Sequence, residues 1–194
     1  MDRDRTALTH DLLILGDMVA AMPAYLDSDV QDWTLPHTNM PPLTIGGCLM
    51  RMLRLDAVQG KLTNEEREEL TAVCDAYHAA LQERVVRFEK RAHQELHTRI
   101  AEWIACLRDF SRRAATEQNF YAGIVDTRVV IEHLTDALCQ APYELQPGIE
   151  DEIKVIDRML ADRLTKGSFV WDTFWEAAYP REKYWWLYRH PALT

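Results

Sequence analysis

The chain has 194 residues, of which 47% are hydrophobic, and it carries a formal net charge of −9. This length suffices for one well-filled core or two small ones. The acidic balance argues against general nucleic-acid binding and against anionic membrane surfaces, since both require positive charge. Acidic residues interrupt the N-terminal region, and no apolar run reaches the roughly 20 residues of a membrane span. We therefore expect no nucleic-acid partner, no membrane partner and no signal peptide.

The four cysteines stand far apart and include no CxxC pair. This usage excludes a zinc knuckle and a thioredoxin motif. It is typical of reduced, mostly buried thiols, which predicts a cytoplasmic protein. No cofactor is expected.

The first part of the chain predicts two helices joined by a long connection. Residues 6–22 have apolar side chains at helical spacing, and Pro23 is expected to end this helix. The connection 27–42 is rich in proline and is expected to lie across the core as a strap, or else to act as a lid. Thr44 is a suitable N-cap for a second helix that extends to about Val58, and Gly60 is a suitable stop signal.

The stretch from Leu62 to Arg113 is expected to organise the fold. It contains neither glycine nor proline, and its apolar residues recur at steps of three and four. Thr63 and Glu66 have the spacing of a capping box, which fixes the N-terminal end. We predict one long helix of roughly 75 Å, at 1.5 Å per residue, or alternatively a helical hairpin.

Two more helices are predicted over residues 126–140 and 149–164, after a break near 116–119 and Gly123. The fold class is therefore all-α: an irregular bundle of five or six helices in residues 1–166. The segment 167–194 is expected to dock on this same domain. Because a long helix exposes more apolar stripe than a short bundle covers, we also predict a homodimer.

The C-terminal segment is unusually aromatic. Nine of the eighteen aromatic residues fall within positions 169–188. Rings at this density must be buried, and the simplest expectation is that they fold back onto their own bundle. The alternatives are a partner interface and a ligand pocket walled by the rings. The candidate interaction residues are Trp171, Trp175, Arg181, Trp185 and Trp186.

Glu89, His93 and His97 form the candidate metal site. Their four-residue spacing places them on one side of a helix, where two imidazoles can share a metal ion. A neighbouring helix would add His133 or Glu132. The alternative is a solvated helix face, and the Glu-x-x-His pairs of di-iron bundles are absent.

The half-helix from Glu83 to Arg113 is basic, with eight Lys or Arg residues against five Asp or Glu. Arg84, Arg87 and Arg91 share a face that would suit a phosphate group. We favour an internal explanation, in which the acidic helix after Gly148 packs against them.

Two functions from different classes remain. The first is a non-enzymatic interaction or scaffold module that acts through the long helix and the aromatic tail. The second is a small-molecule- or metal-binding bundle with a pocket near His93, His97 and Trp103. The sequence contains no G-x-S-x-G elbow, P-loop or G-x-G-x-x-G motif, so it predicts no reaction.

Overall fold

The structure is a computed structural model that describes residues 3–30, 33–36, 40–113 and 118–192. The α-helices are α1 (Arg3–Asp27), α2 (Ile45–Ala57), α3 (Asn64–Gln82), α4 (Val85–Arg113), α5 (Gln118–Leu138) and α6 (Ile149–Ala161). The structure is predominantly helical. The predicted all-α bundle is confirmed.

The stretch 62–113 is not one helix, because a turn at Glu83 and Arg84 separates α3 from α4. The Arg84 N–H donates to the Leu81 carbonyl, three residues back, and this tightened turn ends α3. The two helices then diverge, since α3 packs mainly on α1 and α4 packs mainly on α5. Neither glycine nor proline causes the break; each helix buries its own apolar stripe against a different neighbour.

Several predicted helix ends are confirmed by hydrogen bonds. The Thr44 hydroxyl caps α2 by accepting from the Gly47 N–H, and Thr63 and Glu66 form the complete capping box of α3. Other ends differ. Helix α1 continues through Pro23 to Asp27, since its apolar side chains up to Leu26 remain buried.

Two later helix boundaries also differ from the prediction. Helix α5 begins at Gln118 and passes through Gly123 without a break, since a single glycine costs a helix only about 1 kcal/mol relative to alanine. Helix α6 ends at Ala161, earlier than expected. The predicted break at 116–119 lies partly outside the described residues.

A small antiparallel sheet joins the end of the bundle to the C-terminal segment. Strand β1 (Leu164–Lys166) pairs with β2 (Arg189–Pro191), with Thr165 opposite His190. The pairing crosses the expected boundary at 166/167. The periodic apolar pattern of α6 extends to Leu164. The side chain of Leu164 is buried, but this residue belongs to β1 and not to the helix.

Helix α1 contributes nine side chains to the core. By length and composition it is also apolar enough to cross a membrane, unlike the expectation from the sequence. Core helices of soluble proteins meet the same criterion, so this property alone assigns no membrane span.

Candidate functional site

The aromatic tail packs on its own bundle. Trp186 and Trp175 are 1% and 9% exposed, whereas Trp171 and Trp185 are half-buried. The Trp171 indole Nε1 donates to the Ala122 carbonyl at 2.9 Å. The guanidinium of Arg181 lies 4.5 Å from the ring centre of Tyr188, in the same segment. Most of the predicted interaction rings are therefore used to hold the tail in place.

Two arginines that the sequence analysis did not select hold this segment. Arg54, on α2, donates from Nε to the Tyr179 hydroxyl at 2.7 Å, and its guanidinium lies 5.1 Å from the Trp171 ring centre. Arg128, on α5, lies 3.9 Å from the Trp186 ring centre. A cation beside aromatic rings is stabilised by their quadrupole, more strongly when water is excluded. In the sequence, each of these arginines stands beside apolar residues of a helical pattern. This position was the one indication that the side chain would be buried.

The candidate metal residues come together, but each one binds the loop before α6. His93 accepts the Gln146 backbone N–H through Nε2 at 3.2 Å, which requires its Nδ1–H to donate to the Glu89 carbonyl. His97 Nε2 contacts the Gln146 side-chain oxygen at 2.9 Å, and the Glu89 carboxylate accepts the Glu144 N–H. These groups join α4 to the loop.

No set of three His, Cys, Asp or Glu side chains is arranged for a metal ion within the described part of the chain. A metal at His93 would have to displace the Gln146 N–H from the ring nitrogen. The suggested further ligands also have other contacts: Glu132 pairs with Arg128, and the His133 ring lies 6.0 Å from that of Tyr184. The metal hypothesis gains no geometric support.

Arg84, Arg87 and Arg91 do not pair with α6, contrary to the expectation. Arg84 and Arg87 pair with Asp27, at the end of α1. Arg91 donates to the carbonyls of Tyr25 and Val30, at 2.8 and 2.6 Å. The C-terminal end of α1 carries partial negative charge, so it attracts these cations.

A polar cleft of about 240 Å³ lies where α4 meets the start of α2. At its base, the Glu95 carboxylate accepts the N–H groups of Ile45, at 2.8 Å, and of Gly46, at 3.2 Å. Burial raises the pKa of Glu95, although the hydrogen bond from Gly46 and the charge of Arg99 oppose the rise. Glu95 therefore satisfies the N-terminal end of α2 from another helix.

Gly46 makes this approach possible. A Cβ at Gly46 would lie 2.3 Å from Val130 Cγ1 and 3.0 Å from Glu95 Oε1. The missing side chain at Gly46 therefore serves both the approach of the Glu95 carboxylate and the packing of α2 on α5.

An apolar groove of about 440 Å³ runs between α4 and α6. Its lining residues are Ile104, Leu107 and Arg108 from α4 with Glu152, Val155, Ile156, Met159 and Arg163 from α6 and its end. Val155 and Met159 are 52% and 48% exposed. Arg163 Nη1 donates to the Leu107 carbonyl at 2.7 Å, so the C-terminal ends of α4 and α6 lie together.

Comparison with protein-family models, curated proteins and solved structures finds no match for this chain.

Proposed function

We propose that this protein is a non-enzymatic interaction module that acts through the α4–α6 groove. Val155 and Met159 carry the proposal, because they expose neighbouring apolar surface beside an apolar groove. Single exposed apolar residues are ordinary on protein surfaces, whereas a contiguous apolar patch is typical of a binding site. The proposal therefore places the binding surface on α4 and α6, whereas the sequence-based hypothesis placed it on the long helix and the aromatic tail.

Site-specific photocrosslinking in cells tests this proposal. A photoreactive phenylalanine derivative at Val155 or at Met159 should give a covalent protein adduct of one defined mass. The same derivative at Leu13, which is 49% exposed on α1, is the matched control and should give none. No adduct at either groove position, or equal adducts at Leu13, would contradict the proposal.

The polar cleft supports a second candidate function, the binding of a small ligand that bears a carboxylate. The Arg91 side chain is buried, its Nε has no hydrogen-bond partner, and no carboxylate pairs with it among the described residues. A buried guanidinium is costly unless its charge is compensated, and the α1 carbonyls and the Tyr25 ring, 4.2 Å away, compensate only in part. Arg99 also lines the cleft, where its guanidinium pairs with Glu95 and Glu102.

Acetate and glycine are suitable probes of the cleft, with amide chemical shifts as the measurement. We expect saturable shifts at Thr44, Glu95 and Thr98 that are lost in Arg91→Met and retained in Arg87→Met, since Arg87 lies outside the cleft. Shifts that are linear in probe concentration, or equal in both variants, would exclude this ligand class.

The cytoplasmic location expected from the cysteine usage remains a prediction.

A further inference from the structure

The groove carries charge in a fixed order along α6. Glu152 lies in the first turn, Val155 and Met159 follow, and Arg163 stands just beyond the last turn. Arg108, near the end of α4, lies at the same end of the groove as Arg163, because Arg163 binds the carbonyl of the preceding residue, Leu107. The groove is thus acidic at one end, apolar in the middle and basic at the other end.

Among the described residues, the charges at the two ends of the groove have no partner. Neither the Glu152 side chain nor the Arg108 side chain forms a hydrogen bond or ion pair in the part of the chain that the structure describes. Asp151, which is exposed, pairs with Lys154, and the half-buried Asp157 and Glu132 pair with Arg128. Two opposite charges without a partner among the described residues therefore flank the exposed apolar side chains.

We propose that the partner in this groove is a second copy of the same chain, related by a two-fold axis that runs α6 antiparallel to its counterpart. The proposal rests on the proposed interaction function and names its partner. In this arrangement Val155 and Met159 pack on their counterparts, and Glu152 of each copy faces Arg108 and Arg163 of the other.

The geometry favours the antiparallel arrangement over a parallel one. Glu152 and Arg163 are eleven positions apart, which is roughly 16 Å along α6 at a rise of 1.5 Å per residue. Because a two-fold interface is self-complementary, antiparallel helices bring both charged ends onto opposite charge at once. Parallel helices would bring Glu152 onto Glu152 and Arg108 onto Arg108. The helix dipoles favour the same choice.

Charge reversal tests the arrangement, with sedimentation velocity over a dilution series as the measurement. Glu152→Arg alone, and Arg108→Glu alone, should each raise the dimer dissociation constant about tenfold or more, because two symmetric contacts turn repulsive. The double variant Glu152→Arg/Arg108→Glu should return to within about threefold of the wild type, apart from the contribution of Arg163. Glu69→Arg, on the exposed face of α3, controls for the change in net charge.

The outcomes separate this inference from the proposed function. Loss of the dimer in Val155→Asp/Met159→Asp, without any response to the charge variants, would refute the antiparallel register and leave the groove as the interface. A wild type that stays monomeric over the dilution series would refute the second copy as partner. In that case, a photocrosslinked adduct of another mass would still support the interaction function. The absence of any adduct at the groove would refute both the interaction function and the second copy as partner. Unchanged far-UV circular dichroism confirms that each surface variant folds.

Discussion

Replacement of Arg128 by methionine should destabilise the protein more than any other single loss of charge among the described residues. The Arg128 side chain is 3% exposed. It donates two hydrogen bonds to Asp157 on α6, at 2.8 and 2.9 Å, and one to Glu132 at 3.0 Å. It also lies over the Trp186 ring of the tail. One guanidinium therefore joins α5, α6 and the C-terminal segment.

The expected magnitude follows from what the substitution leaves behind. Burial alone would lower the pKa of Arg128, but the hydrogen bonds and charge of Asp157 outweigh it and raise the pKa. Breaking a buried ion pair costs about 3–5 kcal/mol because the remaining charge loses its partner. Asp157 and Glu132 are 20% and 21% exposed, so water recovers part of that loss. We expect about 3 kcal/mol, which for this chain length is a fall in Tm of about 6–12 °C.

Urea unfolding monitored by tryptophan fluorescence measures this change, and a thermal melt checks it. The matched control is Arg158→Met, which removes the same group from the exposed face of α6 and should change stability by less than about 0.5 kcal/mol. A loss below about 1 kcal/mol in Arg128→Met would refute the view that this guanidinium joins the three elements. So would equal losses in the two variants.

Three further predictions concern the core, the pH dependence and the tail. Gly46→Ala should lower the free energy of unfolding by about 1–3 kcal/mol, because the added methyl group meets Val130. Gly16→Ala is the matched control: nothing lies within 4 Å of the added methyl group, so it should stabilise α1 by about 0.5–1 kcal/mol. Urea titrations measure both changes. Burial lowers the pKa of His133 from 6.5 to about 4. The contribution of the neutral imidazole to the stability of the fold is therefore complete above pH 6.5, and it is lost as the pH falls towards 4. That loss amounts to about 3 kcal/mol, and His133→Gln should flatten the pH profile of Tm in this window. Truncation after Lys166 removes β2 and the tail rings, so light scattering should show aggregation; a stable, monodisperse product would show that the rings are not needed to cover the bundle.

The fold was predictable where one local signal was sufficient. Thr63 and Glu66 form their capping box from adjacent residues alone, so spacing determined the start of α3. The break at Glu83 carries no comparable signal, since neither glycine nor proline lies near it. It results from α3 and α4 burying their stripes against different helices, which is a tertiary cause.

The candidate site was only partly predictable, for the same reason. The spacing of Glu89, His93 and His97 placed them on one face, which the structure confirms. Their partners, Gln146 for the two histidines and the Glu144 N–H for Glu89, are about fifty positions away and could not be read from a helical pattern. Backbone groups are recognised by geometry, and sequence does not reveal which loop will bring them.

By itself the sequence determined that this chain forms amphipathic helices and that its C-terminal rings must be buried, because both follow from side-chain spacing and from the cost of hydrating apolar surface. Only the tertiary structure decided which charges face each other: Arg128 with Asp157, Glu95 with the start of α2, and Glu152 and Arg108 with no partner among the described residues. Ion pairs act over a few ångströms between residues far apart in the chain, so they exist only once the helices have packed.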